Sequence, residues 1–245
     1  MTSLLTFAIF MIIAQPVQAM HIMEGLLPPS ACIIWAILCV PFLARGITKI
    51  KRLLIQHPQA ITVLAMAGAF TFVLSALKIP SLTGSSSHMT GLGFAAILFG
   101  PSVACVLSVI VLLFQAILLA HGGLTTLGAN TFSMGVLGPV IAFAVYLALQ
   151  KVSSPKSVAI FFAAFLGDLA TYVTTSLQLA LAYPSEIGGV TASFVKFAGI
   201  FALTQIPLAI IEGILTVVLI NIITVYGHDR IKSLGENLYE HELET

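Results

Sequence analysis

The sequence predicts an all-α membrane protein, a polytopic bundle of about seven transmembrane helices. Of its 245 residues, 59% are apolar and only 8% are charged, whereas a soluble domain has about one-quarter charged residues. Apolar runs long enough to cross a bilayer recur along the chain between short polar segments. With a net charge of +1 and no long basic run, the sequence indicates no nucleic-acid partner.

Residues 1–19 have the pattern of a cleaved signal peptide. The apolar run Leu4–Ala14 is too short to span a membrane. Val17 and Ala19 are the small residues that a signal peptidase requires before a cut after Ala19. No Lys or Arg precedes the apolar run, so an uncleaved anchor is the alternative. If the cut is made, the mature chain begins at Met20.

The mature chain is predicted to form one transmembrane domain, residues 20–227, followed by a cytoplasmic tail, residues 228–245. Its apolar runs each have the length or the flanking polar residues of a membrane span. The runs are Ala31–Ala44, Ala60–Leu77, Gly93–Ala120, Phe132–Leu149, Ser157–Leu181 and Phe197–Val225.

The run Gly93–Ala120 is either one kinked helix or a short helix followed by a full span, because Gly100-Pro101 interrupts it. The basic cluster from Arg45 to Arg52 predicts a cytoplasmic loop after the first span. If the run Gly93–Ala120 crosses the membrane twice, the later basic residues are cytoplasmic as well, namely Lys151, Lys156 and those of the tail. If it crosses once, they are outside. We therefore predict a short, partly penetrating piece at Gly93–Phe99, an outside N-terminus and a cytoplasmic C-terminus.

Cleavage after Ala19 would place a free amine at Met20, next to His21. The amine, the backbone nitrogen of His21 and the Nδ1 atom of its ring can then close two adjacent chelate rings on one metal ion. Three nearly coplanar nitrogens suit Ni(II), Cu(II) and low-spin Co(II). A fourth nitrogen is needed, and the outside loops offer His88 and His121. We favour His88, because its Ser-rich loop would let the N-terminal segment approach.

Four residues are candidates to support this site through hydrogen bonds: Glu24, Ser87, Asn130 and Asp168. Glu24 either caps the segment after Gly25, neutralises the charge of a metal ion or is a solvated carboxylate. Asp168 is an ionisable group inside a predicted span, as is Glu212, and such groups are functional candidates.

Asp168 follows Ala159, Ala163 and Gly167, small residues at four-residue spacing that predict a face for close helix packing. Asp168 is therefore expected to point into the bundle. There it either orients the N-terminal segment or a histidine, or bonds two helices as a protonated carboxyl.

Motifs of ATP hydrolysis and of common hydrolases are absent from the sequence: it has no Walker A motif, no H-E-x-x-H and no G-x-S-x-G. The chain is therefore not expected to be an enzyme. A metal-dependent hydrolase would need an open coordination position, for which four coplanar nitrogens leave little room. A self-sufficient secondary metal transporter would need its own ion relay, which only Asp168 and Glu212 could provide.

The stretch Met20–Pro29, which reads MHIMEGLLPP, resembles the mature N-terminus of the cobalt substrate-binding subunit of energy-coupling-factor transporters. The segments Ser86–Gly91 and Gly122–Asn130, together with the seven spans, extend this resemblance over the mature chain. Related nickel subunits usually have Pro-Asp where this chain has Met23-Glu24. The resemblance therefore favours Co(II) as the transported ion, with Ni(II) as the alternative.

The resemblance implies metal ligation by the amine of Met20, the amide and imidazole nitrogens of His21, and the imidazole of His88. It implies no bound cofactor. It also implies partners: a small auxiliary membrane subunit, a transmembrane coupling (T) subunit and cytoplasmic ABC ATPases, in the cell membrane of a prokaryote. Such a system imports cobalt for cobalamin biosynthesis.

Overall fold

The structure, a computed structural model, describes residues 21–80 and 86–226. The predicted signal peptide, Met20 and the predicted tail lie outside these residues. Within them the chain forms seven helices, α1 Pro29–Gln56, α2 Ala60–Ala76, α3 Leu92–Phe99, α4 Pro101–Leu119, α5 Leu127–Lys151, α6 Lys156–Ala182 and α7 Gly189–Tyr226. A small antiparallel pair, β1 Ile79–Pro80 and β2 Ser86–Ser87, precedes α3.

The predicted all-α membrane bundle is confirmed. Five of the helices, α1, α4, α5, α6 and α7, are long and apolar enough to cross a membrane. Large apolar side chains on the outside of the bundle are exposed, for example Ile37 (61%), Ile117 (62%) and Leu203 (64%). Such an apolar exterior matches lipid, in which the helices satisfy their own backbone hydrogen bonds.

Two helices extend furthest beyond the apolar runs that predicted them. α1 continues past Ala44 through the basic cluster to Gln56, and α7 begins at Gly189 rather than at Phe197. Hydropathy marks the segment that suits lipid, whereas backbone hydrogen bonds can continue the helix into water. The helix ends therefore differ from the predicted span ends.

The predicted break in the run 93–120 lies at Gly100. Its φ of 80° and ψ of 165° suit glycine, and Pro101 is the first residue of α4. With 8 residues α3 is about 12 Å long, less than half of a hydrocarbon core of about 30 Å. Seven of its residues are buried, chiefly against α4, α5 and α6. This packing explains how a short helix is accommodated.

The small-residue face of α6 packs closely on α5, as its spacing predicted. Ala159 and Ala163 are fully buried. A Cβ atom on Gly167 would lie 2.8 Å from the Cβ of Ala142 and 3.0 Å from the carbonyl oxygen of Gly138. The two helices can approach this closely only because position 167 has no side chain.

Replacing Gly167 with Val is therefore expected to destabilise the fold by about 1–3 kcal/mol, the usual cost of overpacking a core. The matched control is Gly199→Val on α7, where a new Cβ would have no neighbour within 4 Å. Thermal unfolding of the two variants in detergent tests this prediction. Equal melting temperatures would contradict it.

Candidate metal centre

Three loops come together around three histidines. His21 precedes α1, His88 lies between β2 and α3, and His121 lies between α4 and α5. The ring centroid of His21 is 4.3 Å from that of His88 and 4.4 Å from that of His121, while His88 and His121 are 5.0 Å apart. All three are buried, with exposed fractions of 2%, 0% and 2%. One nitrogen from each ring lies within 4.8 Å of the others.

The end of α4 directs His121 toward this cluster. Ala120 has a left-handed backbone (φ 45°), and the His121 N–H donates back to the carbonyl of Gln115 at 3.2 Å. Gly122 follows with φ 78°, and a Cβ there would lie 3.2 Å from Asn130 Nδ2. This tight turn places the imidazole of His121 beside that of His21.

The N-terminal segment is held by its backbone. The N–H of Ile22 donates to Asn130 Oδ1 at 2.8 Å, and Asn130 Nδ2 donates to the Ile22 carbonyl at 3.0 Å. The hydroxyl of Thr126 donates to the same carbonyl at 2.7 Å. Ile22 is itself fully buried. These hydrogen bonds from Asn130 and Thr126 to Ile22, here called the clamp, fix the backbone next to His21. They thereby restrict the position of the His21 side chain.

Glu24 adds a contact at the rim of the site. Its carboxylate accepts hydrogen bonds from the Thr125 N–H at 3.2 and 3.3 Å, and the Gly25 N–H donates to the Thr125 hydroxyl at 3.3 Å. Hydrogen bonds from Thr125 hold the pKa of Glu24 below its usual value. Glu24 thus fastens the N-terminal segment to the α4–α5 loop.

The hydrogen bonds of two rings decide which nitrogen is free. His88 Nδ1 lies 2.8 Å from the carbonyl of Met89; because a carbonyl only accepts, this nitrogen carries the proton and Nε2 keeps its lone pair. His21 Nε2 lies 3.2 Å from the Met134 sulfur, which likewise only accepts, so Nδ1 keeps its lone pair.

His21 Nδ1, His88 Nε2 and His121 Nε2 are buried and have no hydrogen-bond partner among the described residues. Burial lowers the pKa of His88 to about 4 and that of His121 to about 2, and it lowers the pKa of His21 as well. Near pH 7 the three imidazoles are therefore neutral, the form that binds metal ions. His21 Nδ1 and His88 Nε2 are thus two unprotonated nitrogens beside the neutral ring of His121.

Two buried polar side chains of α6 and α7 hold the backbone of His88. Gln205 Nε2 donates to the His88 carbonyl at 3.0 Å and to Asp168 Oδ2 at 2.7 Å. Asp168 was expected either to orient the N-terminal segment or a histidine, or to bond two helices; it accepts from Gln205 of α7, which also binds the His88 carbonyl. Ser87, beside His88, pairs its hydroxyl with that of Thr204 at 2.7 Å.

Glu212 on α7 anchors the next residues of the same loop. Its carboxylate accepts hydrogen bonds from the Thr90 N–H at 2.6 Å, the Thr90 hydroxyl at 2.8 Å and the Gly91 N–H at 2.9 Å. Glu212 and Thr90 are both buried. Glu212 therefore binds the loop that presents His88 directly, whereas Asp168 reaches it through Gln205.

Sequence reasoning chose between His88 and His121, whereas the structure places both beside His21. The signal for His121 was its position at the end of an apolar run, directly before Gly122-Gly123. Gln205 was also missed, although it is a polar residue within an apolar run. His88 was expected in a Ser-rich, flexible loop, and the structure buries it. Met20 lies outside the described residues.

A family model described as CbiM, cobalt uptake substrate-specific transmembrane region, matches residues 21–230. The cobalt transport protein CbiM of Lachnoclostridium phytofermentans is 60% identical over 229 residues, which cover 94% of this chain and 92% of that protein. The protein of the same name from Chlorobium limicola is 57% identical over 218 residues, covering 89% and 86%.

Two solved structures share the fold. A crystal structure of a truncated transition metal transporter has a TM-score of 0.73 at 22% identity, covering 85% of this chain and 99% of its own. A crystal structure of a transition metal transporter has a TM-score of 0.72 at 22% identity, covering 83% and 92%. With the family model and the relatives, the assignment is direct: the chain belongs to the CbiM family of cobalt-uptake membrane proteins.

Proposed function

We propose that this protein is the metal-binding membrane subunit of an ATP-driven energy-coupling-factor importer, which captures Co(II) outside the cell. The proposal rests on one observation: His21 Nδ1 and His88 Nε2 are buried and unpartnered among the described residues, and each ring keeps its proton on the other nitrogen. The relatives, which are named cobalt transport proteins, support cobalt as the cargo.

The proposed site is a plane of four nitrogens. Met20 supplies its amine, His21 its backbone nitrogen and Nδ1, and His88 its Nε2. The amine has a pKa of about 8, so part of it is unprotonated near neutral pH, and metal binding displaces the remaining proton. This set suits low-spin Co(II), and also Ni(II), which is the alternative cargo.

The proposed topology places Met20 outside and the tail, residues 228–245, in the cytoplasm, with residues 20–227 as the single transmembrane domain. Residues 1–19 are removed as a signal peptide. ATP is hydrolysed by partner ABC ATPases, joined through a transmembrane coupling subunit, and a small auxiliary membrane subunit completes the importer. The imported cobalt serves cobalamin biosynthesis. The lack of a Walker A motif in this chain supports an external source of energy.

A self-sufficient secondary transporter receives less support from the structure. Its ion relay would depend on Asp168 and Glu212. Their carboxylates accept hydrogen bonds from Gln205, Thr90 and Gly91, which suits positioning of the His88 loop. Cobalt uptake by cells that lack the ATPase subunits would favour this second hypothesis.

Metal content after mixed-metal exposure tests the proposal. Protein is purified from membranes, incubated with equal amounts of Co(II), Ni(II), Cu(II) and Zn(II), and washed. It is expected to retain an ion that prefers square-planar coordination. In protein isolated from cells exposed to the same metals, cobalt is expected to be the most enriched ion. Intact mass should place the start of the loaded chain at Met20. The matched controls are His88→Gln, which should lose the metal, and His57→Gln, which should keep it. Zinc as the retained ion, or metal bound to the uncleaved chain, would contradict the proposal.

A further inference from the structure

His121 lies as near to the proposed chelate as His88 does. Its ring is 4.4 Å from that of His21, and its Nε2 is buried without a partner among the described residues. One nitrogen of each ring lies within 4.8 Å of the others. In the proposed arrangement the three ring nitrogens are mutually cis, so at bond lengths of about 2.0–2.1 Å they would lie about 3 Å apart. The three rings must therefore move closer together by about 2 Å at most to bind a single ion.

The four-nitrogen plane leaves His121 only one kind of position. In the proposed plane, the two fused chelate rings of Met20 and His21 would occupy three sites of a square, and His88 Nε2 would occupy the fourth. A further nitrogen can approach the ion only from above or below this square. The His121 ring is inclined to the His21 ring by 57°, which suits this position; the His88 ring, inclined by 53°, can adopt the same angle in the plane by rotation about its metal–nitrogen bond.

The turn after α4 holds His121 in place without help from a metal. Its N–H is bound to the Gln115 carbonyl, and Gln115, fully buried, donates from Nε2 to the Ser75 hydroxyl at 2.6 Å. Ala120 and Gly122 fix the left-handed backbone on either side. A ligand set in position before binding loses little conformational entropy when the ion arrives.

We propose that His121 is an apical fifth ligand and that it favours Co(II) over Ni(II); this rests on the function proposed above. Low-spin Co(II) has one unpaired electron in the orbital perpendicular to the plane and readily binds a fifth nitrogen there. Low-spin Ni(II) has this orbital filled and gains little from such a ligand. Because intrinsic affinity rises from Co(II) to Ni(II) in a given site, selection of cobalt requires an interaction that nickel does not use.

The test compares the purified chain that begins at Met20 with its His121→Phe variant, which keeps a ring of similar size. Electron paramagnetic resonance of the Co(II)-loaded wild type is expected to show splitting from an apical nitrogen, and the variant should lose it while still binding cobalt. In competition assays the ratio of Co(II) to Ni(II) affinity should fall by about tenfold, the scale on which groups around a metal change its affinity. His121→Asn is the second variant, which keeps a polar side chain in case Phe impairs folding.

Two control variants separate this inference from the proposed function. His57→Phe should leave the spectrum and the affinity ratio unchanged, and His88→Gln should lose both ions. An unchanged spectrum and ratio in the His121 variants would overturn the apical ligand and leave the four-nitrogen site intact. The apical ligand would also be overturned if the His121 variants bound neither Co(II) nor Ni(II) while the His88 variant still bound them. His121 would then be a ligand in the plane. A wild-type chain that binds neither ion would refute the proposed function itself.

Discussion

Replacing Ala19 with Leu is expected to abolish high-affinity Co(II) binding, although the change adds no charge and lies outside the proposed ligand set. A large residue before the cut blocks signal peptidase, so Met20 keeps a peptide bond in place of its free amine. The plane loses one nitrogen, and the chelate ring that the amine closes with the His21 backbone nitrogen cannot form. Affinity should fall by at least about 100-fold, the upper end of what loss of a supporting group costs a metal site.

Intact mass and isothermal titration together check this expectation. Mass spectrometry should detect the uncleaved chain, and titration should show the loss of affinity. Ala14→Leu, within the apolar run and away from the cut, is the matched control and should be processed and bind cobalt normally. An uncleaved Ala19→Leu protein with wild-type affinity would refute the role of the amine.

Replacing Glu212 with Ala is expected to lower both stability and Co(II) affinity. The carboxylate accepts three hydrogen bonds from Thr90 and Gly91, and its removal leaves three buried donors without an acceptor. Each such donor costs about 1–3 kcal/mol, so the loop after His88 should rearrange to reach other acceptors. Glu212→Gln keeps one acceptor oxygen and should give a smaller loss of both quantities.

Thermal unfolding and cobalt titration of the same samples separate the two effects. Gly167→Val is the matched control, because it destabilises the α5–α6 contact without touching the loop. It should lower the melting temperature and leave the affinity of the folded protein unchanged. If Glu212→Ala loses stability but binds Co(II) as tightly as the control, then Glu212 does not position His88.

The membrane bundle was predictable because hydropathy and backbone chemistry act locally. Gly100-Pro101 ends one helix and begins another through the conformations of these two residues alone, so the sequence was sufficient to place the break. The extension of α1 to Gln56 was not predictable in this way. A basic cluster indicates where lipid ends, and the helix continues beyond that point.

The site was predictable only in part, because its contacts join distant segments. The hydrogen bond from Gln205 to the His88 carbonyl spans 117 residues, and nothing near either residue in the sequence indicates it. The burial of His88 depends on the same kind of contact, since Glu212 supplies the acceptors that Thr90 and Gly91 would otherwise find in water. The ligand role proposed for His21 could be inferred from the sequence alone, because its proposed chelate partners are its own backbone and the preceding residue.

The hydrogen bonds that hold Ile22 determine how long the N-terminal segment must be for its amine to reach the proposed metal site. Asn130 and Thr126 fix both backbone groups of Ile22, so the place that the terminal amine reaches depends on how many residues precede the clamp. One extended residue spans about 3.3–3.6 Å, whereas a metal–ligand distance tolerates about 0.2 Å. In the proposed chelate only a cut directly before Met20 gives this length. The accuracy of signal peptidase, an enzyme outside the importer, would therefore decide whether the importer can bind its ion.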